Sequence, residues 1–146
     1  EVERGDLISA YNRRLTSNDE ATRLSAARAW SVWEASTSLL TPDDAFIDGH
    51  RDAHFALSFA RIESHYFVHG GFFDVEDQLL RDAHRLQGIP GSIVHGRYDV
   101  VCPIQNAWEL HKAWPASKLA ISPTAGHSAY EAENAAALVE ATDSFR

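Results

Sequence analysis

Methionine is absent from this 146-residue sequence, and cysteine occurs once, as Cys102. A single thiol excludes an internal disulfide framework and fits a reducing compartment, so a cytoplasmic location is expected. With no methionine at its start, which reads Glu1-Val2-Glu3-Arg4, the chain is expected to be a piece of a longer product. No apolar run approaches the roughly 20 residues that a membrane-spanning helix needs, and no signal peptide is recognisable, so no membrane partner is expected. Cations are scarce: 13 Lys and Arg stand against 21 Asp and Glu, for a formal charge of −8. Phosphate backbones are gripped by clustered cations, so nucleic acid is not an expected partner. A small cationic ligand suits this balance better. Hydrophobic residues make up 45%, enough for a packed core.

The pattern changes near residue 87, and the chain is read as two segments, 1–86 and 87–146. The first is helical and aromatic. Ser17-x-x-Glu20 has the form of a capping box for a helix from about Asp19 to Ser36. Thr41-Pro42-Asp43-Asp44 is a second helix start, with Thr41 as cap and Pro42 at the first helical position. Phe55, Phe59, Ile62 and Tyr66 recur at helical spacing and predict a helix over 52–67, ended by His69-Gly70-Gly71. A further helix is expected over 75–86. In the second segment, Ser92-Ile93-Val94-His95 reads as a buried strand, Lys118-Leu119-Ala120-Ile121 as a second strand, and 104–113 and 130–144 as helices. Strand, helix, strand, helix is an α/β rhythm with parallel strands. Two such strands are too few for a stable parallel sheet, and the second segment therefore reads as the end of a larger one.

Gly96-Arg97-Tyr98-Asp99 and Ala125-Gly126-His127-Ser128 each follow a predicted strand, where open α/β sheets place their ligand sites. Asp99 and His127 lie 28 residues apart. A carboxylate after one strand and an imidazole after the next can meet at one sheet edge, the acid fixing the tautomer of a general base. Alternatively, Asp99 caps a turn and His127 sits in a loop. Glu34 and Glu63 form a second constellation, each a carboxylate among aromatics on a predicted helix. Glu63, with Phe59 and Phe67 four residues either side, is expected to be partly buried, and a buried carboxylate needs a cationic or hydrogen-bonding partner. The alternatives are an internal partner such as Arg28 or Arg61, simple solvation, or a protonated amine brought by a ligand.

His50-x-x-x-His54 and His65-x-x-x-His69 have the one-turn spacing that zinc sites use, but no third ligand stands at a recognisable interval, and no metal is expected. Cys102 reads as a buried structural thiol, His95 as a core or rim residue, and Glu131, Glu133 and Glu140 as a solvated helix face.

Together, Gly96-Arg97-Tyr98-Asp99-Val100-Val101-Cys102-Pro103 and Ala125-Gly126-His127-Ser128-Ala129 resemble the last two active-site motifs of the proline iminopeptidases, serine exopeptidases of the α/β-hydrolase superfamily. The resemblance continues through Trp30-Ser31-Val32-Trp33-Glu34, Ala60-Arg61-Ile62-Glu63-Ser64-His65-Tyr66-Phe67, Gln78-Leu79-Leu80-Arg81-Asp82 and Asn106-Ala107-Trp108-Glu109-Leu110-His111. It implies the C-terminal portion of such an enzyme: a largely helical cap segment, 1–86, followed by the end of an α/β-hydrolase core, 87–146. It implies that Asp99 matches the triad acid and His127 the triad base, that Glu34 and Glu63 bind the amino terminus of a peptide beginning with proline, and that no cofactor is used. The Gly-x-Ser-x-Gly elbow that exposes the nucleophile is absent; Gly91-Ser92-Ile93-Val94-His95 lacks its second glycine. The isolated chain is therefore expected to be inactive, with the missing N-terminal part of the same enzyme as its natural partner. The alternatives are a non-catalytic fragment or split-protein half acting as a binding module, and a superfamily relative acting on esters or other amides.

Overall fold

The computed structural model describes residues 2–146 and divides the chain into two units. The first comprises residues up to Ser36 together with Asp43–Glu76; the second comprises Thr37–Pro42 and Asp77–Arg146.

In the first unit, α1 (Leu7–Leu15), α2 (Glu20–Ser38), α3 (Asp44–Gly49) and α4 (Ala53–Val68) follow in chain order, the last two residues of α2 belonging to the second unit. Leu15, Ala26, Ala27, Trp30, Ala56 and Ala60 form its buried core, with Tyr11, Leu57 and Phe59 packed against them. Four of the six core residues are alanines, whose small side chains let helix backbones approach closely. α1 packs on α4, and the Asn12 side-chain amide donates to the Ser64 hydroxyl across that contact at 3.3 Å. The sequence pattern gave no helix over 7–15. Its signal was Asp6, whose carboxylate accepts from the Ser9 backbone N–H at 3.0 Å and caps α1.

Other caps differ from the expected ones by a residue or two. α2 is capped by Asp19, which accepts from both the backbone N–H and the hydroxyl of Thr22, while Ser17 accepts from the Asp19 N–H in the preceding turn. A carboxylate is the stronger acceptor toward the positive helix end, so Asp19 displaces Ser17 from the expected role. Asp43, not Thr41, caps α3 by accepting from Phe46 N–H at 3.1 Å, and Asp52 caps α4 by accepting from Phe55 N–H at 2.8 Å. After α4, Gly70, Gly71 and Phe72 all take positive φ, a left-handed run that no helix continues through.

The second unit contains α5 (Gln78–Arg81), a 3-10 turn over Asp82–Leu86, β1 (Gly91–Gly96), α6 (Ile104–Ala113), β2 (Ser117–Ser122) and α7 (Ala132–Asp143). The single helix expected over 75–86 is thus a short α-helical turn followed by a tighter one. Asp74, Glu76 and Asp77 crowd three carboxylates into the stretch where it was to begin. β1 and β2 pair in parallel, from Gly91 opposite Ser117 to Gly96 opposite Ser122, and α6 and α7 each pack against both strands. β1 was expected to be buried. Its residues are only half-buried except Gly96, because a two-stranded sheet has an edge on either side. This small parallel sheet with helices is an α/β arrangement compatible with the C-terminal part of an α/β-hydrolase core.

Candidate active site

Both chain segments leaving the parallel strands emerge at the same end of the sheet. Their close approach depends on Gly96, where an added methyl group would lie 1.9 Å from the Gly126 carbonyl oxygen. Beyond it the chain turns, and Asp99 Oδ1 accepts from the backbone N–H groups of Val101 at 2.9 Å and Cys102 at 2.8 Å. This local ring of bonds fixes the carboxylate and leaves Oδ2 facing the second loop, where His127 Nδ1 stands 3.0 Å away. An ionised carboxylate only accepts, so Nδ1–H donates and Nε2 carries the ring lone pair. The Asp99 side chain is 5% exposed and that of His127 38%. The acid is enclosed and the imidazole reaches solvent.

The His127 loop is held from several directions. Its backbone N–H and that of Ser128 both donate to the Ser38 carbonyl, at 3.0 and 2.9 Å. Glu131 accepts from Gly126 N–H at 2.6 Å and from Leu40 N–H at 2.8 Å. Buried Asn134 donates its amide to the carbonyls of Gly126 and Ser128. Glu133 accepts from the hydroxyl and the N–H of Thr124, and these bonds, the hydroxyl's first, hold its carboxyl below the usual range. Glu131 and Glu133 are therefore loop fasteners, not the solvated helix face that the sequence suggested. Asn134, Ser38 and Leu40 went unnoticed in the sequence. Only the glutamates' position, just after a loop bearing the histidine, could have signalled the arrangement.

His95 also reaches this site. Its Nε2–H donates to the Cys102 carbonyl at 3.1 Å and lies 3.6 Å from Asp99 Oδ2. Cys102 is exposed, which corrects the expectation of a buried thiol: the bend that wraps the backbone around Asp99 turns residue 102 outward. Ser128 is buried, and its hydroxyl accepts from Tyr130 N–H at 3.2 Å.

In the first unit, α1, α2 and the end of α4 surround a concave pocket of about 460 Å³, lined by Tyr11, Trp30, Trp33, Glu34 and Phe67 among others. The volume lies in the range of small-molecule sites. Trp30 connects the two glutamates: its ring lines this pocket beside Glu34, while its indole N–H donates to Glu63 Oε2 at 2.6 Å. Glu63 is half-buried, as its neighbours predict, but its partner is this indole and not Arg28 or Arg61. Arg28 instead donates to the Arg51 carbonyl at 3.2 Å.

One histidine of each pair is tied to a backbone carbonyl one helical turn earlier. His50 donates from Nδ1 to the Phe46 carbonyl at 2.8 Å, and His69 from Nδ1 to the His65 carbonyl at 2.7 Å. Among the described residues, the one group of three or more side chains arranged to hold a metal is Asp99, Cys102 and His127. Among the described residues, no helix is long and apolar enough to cross a membrane.

No protein-family model matches the chain. It is 72% identical over 144 residues to the proline iminopeptidase of Xanthomonas citri, a match covering 99% of this chain and 46% of the relative. It is 46% identical to that of Arabidopsis thaliana, across 100% of this chain and 39% of the relative, and 41% identical to that of Neisseria gonorrhoeae, across 98% and 44%. The chain thus spans less than half the length of the curated relatives it matches. Along almost all of its own length it resembles the proline iminopeptidases, consistent with the C-terminal portion of such an enzyme that its motifs indicate.

Proposed function

We propose that this chain is the C-terminal portion of a serine exopeptidase that releases proline from the amino terminus of peptides. Residues 1–86 supply a helical cap segment and residues 87–146 the end of the hydrolase core. His127 takes a proton through Nε2 from a serine hydroxyl that lies outside this chain, and later returns it to the leaving amine. Asp99 keeps the ring in the required tautomer and stabilises the imidazolium that forms. The prolyl group is held as an ester of that serine and released by water, with no cofactor. Glu34 and Glu63 face the protonated secondary amine that distinguishes a chain end from an interior peptide bond, and the aromatic pocket takes the pyrrolidine ring.

The observation that carries this reading is the 3.0 Å approach of Asp99 Oδ2 to His127 Nδ1 from two successive strand ends. The likeness to named proline iminopeptidases supports the substrate class. Without an elbow serine, the isolated chain is inactive and acts as one part of a longer enzyme. The test is to fuse this chain to the N-terminal portion of its Xanthomonas relative and assay a chromogenic prolyl amide. The fusion should cleave it, and His127→Ala should lower turnover by about 10⁴-fold or more. Unchanged cleavage by that variant overturns the assignment.

A further inference from the structure

Asp99, His127 and Cys102 place one carboxylate oxygen, one imidazole nitrogen and one thiol sulfur within 4.8 Å of one another. A proton-transfer pair needs only the first two. The thiol adds a third, chemically softer donor, and both Cys102 and His127 are exposed, so an ion from solvent can reach them. We propose that this triplet is a capture site for a borderline-soft divalent cation, zinc above all.

The donor set selects the ion. Thiolate and imidazole favour zinc and its neighbours over magnesium or calcium, which take oxygen ligands. Tetrahedral zinc with bonds of about 2.0–2.3 Å sets its ligands about 3.3–3.7 Å apart. The Asp99–His127 edge, at 3.0 Å, needs to open only slightly, and the Cys102 side chain closes the remaining gap by rotation. The surrounding bonds favour this. Asp99 Oδ1 is fixed by two backbone N–H groups, and His95 holds the Cys102 carbonyl, so carboxylate and thiol start from a fastened loop. A fourth position remains open to solvent.

Binding exchanges protons in a defined way. The Cys102 thiol releases its proton to solvent. The hydrogen on His127 Nδ1 gives way to the metal, and the ring keeps its neutral charge by carrying a hydrogen on Nε2. The cation and the shared hydrogen therefore compete for the same edge, and an occupied site leaves His127 with no lone pair for a serine proton. The capture itself requires no peptidase activity, and Cys102 has no part in that reaction.

Calorimetric titration of the purified chain with zinc chloride, and with cobalt chloride as an optical probe, tests this. One ion per chain is expected, with a sulfur-to-cobalt charge-transfer band. Cys102→Ser should weaken zinc binding by at least about tenfold. In the unmutated chain, where no substitution disturbs the site, saturating zinc should slow iodoacetamide alkylation of Cys102 at least about tenfold. Equal affinity in Cys102→Ser, absence of the charge-transfer band, an unchanged alkylation rate, or binding lost instead in His65→Asn/His69→Asn would each overturn the site. None of these outcomes bears on cleavage by the fusion enzyme.

Discussion

The two units treat their key carboxylates in opposite ways. In the second, Asp99 is almost enclosed and accepts from three donors, two of them backbone N–H groups of its own loop. In the first, Glu63 sits half-buried on a helix and its partner among the described residues is one indole N–H. A carboxylate already held by three donors is fixed in place and suited to orienting a neighbour. One held at a single oxygen keeps acceptor capacity for an incoming cation. The contrast matches the division of labour proposed for them, with positioning in one unit and recognition in the other.

The sharpest way to break that contrast is Asp99→Asn in the fusion enzyme. The amide preserves the shape but favours the wrong imidazole tautomer, and turnover should fall by about 10⁴-fold; a loss confined to KM would put Asp99 in the binding role instead. Glu63→Gln should act the other way, raising KM for a free prolyl amide by about 10–100-fold with a smaller change in kcat. Steady-state kinetics separates the two outcomes. Glu131→Ala removes the acceptor for two backbone N–H groups, one on either side of the contact between the 37–42 segment and the His127 loop. It should cost about 1–3 kcal/mol in urea unfolding of the isolated chain. Asp52→Ala, which uncaps α4, should cost about 1 kcal/mol by the same measurement. If that loss equalled the Glu131 loss, the loop would be no more dependent on its fastener than a helix is on its cap.

The smallest effect concerns acid. Hydrogen bonds from Ser9 to Asp6, from Thr22 to Asp19 and from Thr124 to Glu133 hold these carboxyls below their ordinary values, the hydroxyl contribution leading in each case. The folded state thus prefers their charged forms. Their contribution is fully present above about pH 5 and disappears as pH falls through the lowered values. Thr124→Val should flatten the decline in thermal stability below about pH 4 without moving it at pH 7 by more than the loss of one hydrogen bond.

Elements with strong local signals were legible in the sequence. α6 begins and ends as its pattern and Trp114-Pro115 predict, and the two strands are each two residues longer than their apolar runs, one at either end. α1 escaped because its apolar residues are interrupted by Asn12, Arg13 and Arg14. Caps were misplaced where two candidates stood close together and a carboxylate outcompeted a hydroxyl, as at Ser17 and Asp19. The Asp99–His127 meeting could be foreseen from strand order alone. Its fasteners could not. Glu131 accepts from Leu40 N–H, 91 residues earlier in the chain, and Asn134 donates to carbonyls six and eight residues before it in an irregular loop; neither kind of pairing leaves a periodic trace. The Glu63 partner was missed for a related reason, since charge counting favours arginines and overlooks an indole donor.

The in-register pairing of β1 with β2 carries a consequence for measurement. Adjacent residues on a strand are about 3.3 Å apart along its axis, more than the whole length of the bond between imidazole and carboxylate. A slip of one position would separate the two rigidly attached loops and break that bond outright. The proton on His127 Nδ1, observed by magnetic resonance, is therefore an alignment mark for the sheet: its signal persists only while every rung between Gly91 and Ser122 is correctly matched.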